Sequence, residues 1–189
     1  MKPRQLLLVG ISALALAACS AREDSNMTQQ MTDMTQQINY IQVNEASLQE
    51  DFEADIKDNP ELTTLTNGKA RVQQNLKKRQ EALASAKEDL NKLRESTEQK
   101  KTDDSTFRST SRDTLQTIEG YLNDYDQLLQ QEANYYALIA SDEAKTADFE
   151  DQLADLDQKH QQVQEQLQNI EGKLTNLNNA IEKEEGKDA

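Results

Sequence analysis

Apolar side chains recur along this chain in alternating steps of four and three, the spacing that keeps one stripe of a helix turned toward a partner. The first stretch runs Met27, Met31, Met34, Ile38, Ile41, Glu45, Leu48 and Phe52. The second runs Val72, Leu76, Arg79, Leu83, Ala86, Leu90, Leu93 and Thr97. The third runs Leu115, Ile118, Leu122, Tyr125, Leu129, Glu132, Tyr136 and Ile139. The fourth, Leu153, Leu156, His160, Val163, Leu167, Ile170, Leu174, Leu177 and Ile181, is the most regular.

Breakers are sparse beyond residue 19: one proline, Pro60, and the glycines Gly68, Gly120, Gly172 and Gly186. Long helices are therefore the default. Asn59-Pro60 ends the first stretch, Asn67-Gly68 marks a turn, and the polar run 100–113 reads as a connection. Ser141-Asp142-Glu143 reads as a helix start, a capping hydroxyl followed by acids in the first turn. The third stretch carries a second stripe, Tyr121, Tyr125, Leu128, Tyr135 and Ile139, so it can touch two neighbours at once. The pattern predicts an all-α protein: an elongated, up-and-down antiparallel helical bundle with coiled-coil-like seams over 27–186, about 50 Å long. Four helical segments are expected. The alternative is three long helices, with the steps around Thr146 and Phe149 absorbed as a stammer.

Composition agrees with thin seams. Aromatics make up 4% of the 189 residues, Trp is absent, and there are 22 Gln and 13 Asn. Such a chain lacks the bulk for a thick core or barrel, which argues against an enzyme. A net charge of −14 argues against nucleic acid, whose phosphates call for a basic surface. A single Cys excludes a disulfide framework and a thiolate zinc site.

That one cysteine has a telling position. Residues 1–18 open with Lys2 and Arg4, continue through an apolar run from Leu6, and end in Leu16, Ala17 and Ala18 ahead of Cys19. This is the layout of a secretory signal, shorter than the ~20 apolar residues of a membrane span. The ending resembles the lipobox of bacterial lipoproteins, in which the Cys thiol receives a diacylglycerol and the signal is cut before it. The resemblance implies residues 19–26 as lipidated Cys and polar tether, and a membrane held through acyl chains contributing ~0.8 kcal/mol per buried methylene. The chain from Cys19 onward carries a net charge of −16, so anionic headgroups should repel the folded part.

Little else in the sequence points to chemistry. His160, the one histidine, falls on the seam of the fourth stretch and reads as a polar residue that fixes register; a pH-sensitive or ligand-binding role is the rival. No metal or cofactor is expected, since His160 has no second His or spare Cys, and Asp103-Asp104-Ser105 lacks the glycine of a calcium loop. Acid pairs such as Asp124 with Asp126 read as solvated helix faces. Tyr121 and Tyr135 are the possible ligand surface, because a ring with a hydroxyl suits sugars and peptides. Met27, Met31 and Met34 read as soft packing.

A lipobox, a short tether and one Gln-rich acidic bundle, with the Tyr-rich stretch before Ser141, resemble the YkyA-type lipoproteins of Gram-positive bacteria. Those are described as cell-wall-binding. The resemblance implies a bundle anchored to the outer face of the cytoplasmic membrane, without catalytic residues, that meets peptidoglycan or wall-associated proteins. The rival is a coiled-coil spacer or adaptor that binds protein partners or self-associates, and Ser20 after the cysteine also permits a Gram-negative outer-membrane lipoprotein.

Overall fold

The computed structural model describes residues 26–141 and 146–186, and regular structure among them is α-helical. The helices are α1 (Asn26–Ala46), α2 (Leu48–Asp58), α3 (Arg71–Gln99), α4 (Ser105–Ile139) and α5 (Thr146–Glu185). The lipobox and Cys19 lie outside the described residues, as do Asp142 and Glu143.

The first stretch is divided where one uninterrupted seam was expected. At Ser47 the backbone tightens to a three-residue turn, with Ser47 N–H on the Asn44 carbonyl at 3.2 Å and Ser47 Oγ on the same carbonyl at 3.0 Å. A hydroxyl that bonds back to its own helix competes with the helical ladder and bends it. Asn75 of α3 enters the bend, its Nδ2 donating to the Asn44 carbonyl at 2.6 Å.

The turn signals hold. α2 stops at Asp58 with Asn59 as cap. Gly68 has φ +75°, where a side chain would be strained, and Asn67 Oδ1 accepts the Lys69 N–H at 3.0 Å. The start of α3 is capped from elsewhere in the chain: Asp55 of α2 accepts the N–H of Arg71 and of Val72, both at 3.0 Å. Two orphan donors at the positive end of the helix dipole explain why that carboxylate is buried.

Two expected boundaries are corrected. The connection after α3 is only 100–104, not 100–113, because Asp104 Oδ1 accepts from the N–H of Thr106 and Phe107 and starts α4 nine residues early. Phe107, Ser111 and Thr114 then extend the buried seam. Ser141 does not cap α5; its Oγ donates back to the Leu138 carbonyl at 2.9 Å and closes α4.

Cross-helix pairs set the topology. Arg94–Glu119 and Lys87–Asp126 run α3 against α4, and Lys159–Asp124 and Lys173–Asp113 run α5 against α4, antiparallel in both cases. Side by side, α4 and α5 cannot be one continuous helix, so the four-segment arrangement is the one formed, with α1 and α2 together as its first member. α1 packs on α3 and more thinly on α5, which closes the ring. All eight seam residues of the second stretch are buried; in the fourth, Leu153, His160 and Leu167 are only partly covered. No described helix is long and apolar enough to cross a membrane.

Gln166 lies beside the fourth stripe, and a side chain off the stripe is expected to be indifferent to substitution. It is not free: its Nε2 donates to Asp124 Oδ2 at 2.6 Å, while Lys159 Nζ holds Asp124 Oδ1 at 2.8 Å. These hydrogen bonds, Lys159 first, keep the Asp124 carboxyl below its ordinary range. Gln166→Asp should therefore cost about 1 kcal/mol by facing carboxylate with carboxylate, and Gln166→Lys should cost less. Thermal unfolding of the two variants side by side measures the difference.

Candidate functional site

Each stretch has a polar residue where its stripe should be apolar: Glu45, Arg79, Glu132 and His160. The fold brings these four together with Tyr125 and Asn75, one or two from each side of the ring. Arg79 and Glu132 are both fully buried.

The arrangement is built around the Arg79 guanidinium. Its two terminal nitrogens meet the two oxygens of Glu132, Nη1 to Oε1 at 2.8 Å and Nη2 to Oε2. Such a fork matches a carboxylate plane and gives the strongest class of ion-pair hydrogen bond. Nε donates to Asn75 Oδ1 at 2.7 Å, and Nη1 also reaches the Tyr125 hydroxyl at 3.2 Å. That hydroxyl donates to Glu45 Oε2 at 3.1 Å. His160 closes the circuit, with Nδ1 2.8 Å from Glu45 Oε1 and Nε2 3.3 Å from Glu132 Oε1.

Both ring nitrogens face carboxylate oxygens, an arrangement that only the imidazolium satisfies with two donors. Burial pushes His160 down, but the hydrogen bonds and charges of Glu132 and Glu45 outweigh it and raise its pKa to about 9. Burial likewise pushes Glu132 up, and Arg79 with His160 more than reverses this, to about 2. For Arg79, burial is again outweighed, here by Glu132, and the guanidinium stays charged. Two acids and two cations make a neutral layer inside a strongly acidic protein.

Other expected sites resolve differently. Tyr121 was expected as ligand surface and is instead core: 2% exposed, its ring 6.0 Å from that of Tyr125, its hydroxyl pKa raised by burial. The second stripe on α4 faces a second neighbour, which is why a residue off the primary seam is covered all the same. Tyr135 is half-buried beside Tyr136, ring centroids 6.3 Å apart. Met27, Met31 and Met34 are buried packing. A groove of about 400 Å³ between α4 and α5 holds two lysines already matched with acids, Lys173 to Asp113 at 2.5 Å and Lys183 to Asp104 at 3.4 Å. Among the described residues, no three His, Cys, Asp or Glu converge in a metal-holding geometry.

Of the layer, only His160 stood out in the sequence. The missed signal was that all four stretches carry a charged or ionisable interruption, two acids and two bases, which a closed bundle can cancel.

Fold and site together define an all-α bundle organised around a buried ionic layer. No family model, curated protein or solved structure matches the chain.

Proposed function

We propose that this chain is a lipid-anchored, extracytoplasmic bundle of the bacterial envelope, acting as a spacer or adaptor toward protein partners rather than as an enzyme. One observation carries the choice over a catalytic or ligand-binding role. The ionisable residues on the four seams are turned inward and matched with one another, leaving them no reactant to meet. The anchor reading rests on Leu16-Ala17-Ala18-Cys19. α1 begins seven residues after Cys19, within about 25 Å of extended chain. The end of the bundle where Thr28 meets Glu185 and Asp104 meets Lys183 then faces the membrane. The connection at 59–70, at the far end, faces outward.

Wall binding is the second reading, favoured by the YkyA-type resemblance and by Tyr135, the one of the two candidate tyrosines that is partly exposed. Sedimentation of the detergent-extracted protein with purified walls decides between the two: co-sedimentation lowered by Tyr135→Ala supports wall binding, and its absence supports the adaptor.

The anchor has its own test. Cys19→Ser removes the only thiol of the chain. The variant should incorporate no labelled palmitate and should remain unprocessed or leave the membrane. Incorporation at the wild-type level would refute the lipid anchor.

A further inference from the structure

The four edges of the ring are unequal. α1 packs closely on α3, and α4 closely on α5, so the bundle consists of two helical hairpins. α3 and α4 join them through three ion pairs, Arg79–Glu132, Lys87–Asp126 at 2.7 Å and Arg94–Glu119 at 2.9 Å, and through the five-residue connection 100–104. The opposite edge, α1 against α5, is the thinnest. It is bridged at its end by Thr28 with Glu185 at 3.1 Å and in the interior by Glu45 with His160 at 2.8 Å. α1 is also the helix least satisfied by closure. It leaves Tyr40 and Val43 47% and 63% exposed and buries the Gln42 amide nitrogen without a hydrogen-bond partner.

We propose that the bundle is a two-leaved device: the α1–α5 edge is its opening, the α3–α4 edge its hinge, and the contact between Glu45 and His160 its latch. An opening at that edge separates the hairpins while each keeps its own packing. It breaks the contact of Glu45 with His160, together with the hydrogen bonds of Tyr125 to Glu45 and of Thr28 to Glu185, and leaves the Arg79–Glu132 fork on the hinge intact. His160 is faced by Glu45 from α1 and by Glu132 from α4; Arg79 of α3 and Tyr125 of α4 bind those two carboxylates, and Asp157 and Lys159 are its near neighbours in sequence on α5. Loss of its proton removes the positive charge and leaves the ring one N–H for two carboxylates, which weakens the latch, and the raised pKa of His160 places that loss near pH 9.

Distances between paired spin labels test this in the full chain carrying Cys19→Ser. Labels at Gln36→Cys and Gln161→Cys, both exposed, span the opening; labels at Gln36→Cys and Lys77→Cys span α1 and α3. Raising the pH from 6.5 to 10 should increase the long-distance population across α1–α5 about 10-fold and leave the α1–α3 distance unchanged. Glu45→Gln, which keeps the shape and a hydrogen bond, should show the long distance already at pH 6.5. Lys87→Ala, on the hinge edge, should keep the opening closed at that pH. Distances that lengthen together on both edges, or that do not respond to pH and to Glu45→Gln, overturn the proposal.

Discussion

Arg79→Met should destabilise the bundle by about 3–5 kcal/mol, measured as a fall in the urea midpoint at pH 6. The cost does not come from lost packing, because Met fills much of the same volume. It comes from Glu132, fully buried, whose remaining charged neighbour is His160 at 3.3 Å. Removing the carboxylate as well, in Arg79→Met with Glu132→Leu, should restore most of the loss, since Glu45 and His160 remain as a matched pair. Two single losses that simply add in the double variant would mean that the fork does not couple α3 to α4. Arg79→Lys should rescue little, because one ammonium cannot span both carboxylate oxygens and Asn75 together.

Stability should also fall as the solution turns alkaline, by about 3 kcal/mol between pH 6 and pH 10. His160 binds its proton more tightly folded, at about 9, than at the ordinary 6.5. Its contribution is fully present below 6.5 and disappears as the pH rises through 9, because there the native state holds a proton that the unfolded chain has released. Glu132 runs the other way. With its pKa lowered from 4.5 to about 2, its contribution is present above 4.5 and is lost as the pH falls through 2. The window of greatest stability from this layer is therefore about 4.5 to 6.5. Urea midpoints across pH 3 to 10 should trace both limbs, and His160→Gln should flatten the alkaline one. An alkaline limb unchanged in that variant would assign the loss to other groups.

How much of this was legible in the residues depended on the kind of interaction. The all-α class and the seams followed from spacing, because one stripe per helix is what burial demands; Val72 to Thr97 fall on the buried face without exception. The bend at Ser47 was not legible, since serine is tolerated inside helices and only the arrival of Asn75 from α3 makes the break worthwhile. The early start of α4 was missed for a related reason. Asp104, Ser111 and Thr114 look like loop composition, yet one caps the helix and two lie against its neighbours. Tyr121 was misassigned because spacing reports which residues share a face but not how many neighbours cover that face. The ionic layer needed the most three-dimensional information: its four charged members lie 28 to 115 residues apart in contacting pairs, from His160 with Glu132 to His160 with Glu45.

The row of methionines on α1 has a consequence for the extracytoplasmic placement proposed above. Met31 and Met34 are 1% and 0% exposed, so their thioethers are shielded while the two hairpins are together. A sulfoxide at either place turns a soft apolar contact into a polar one that the interior does not accommodate. If α1 parts from α5 as proposed, each opening admits oxidant to this row, and an oxidised thioether then opposes closure. Chemical ageing of the protein would thus be set by how often the leaves separate, and damaged copies would accumulate in the open form.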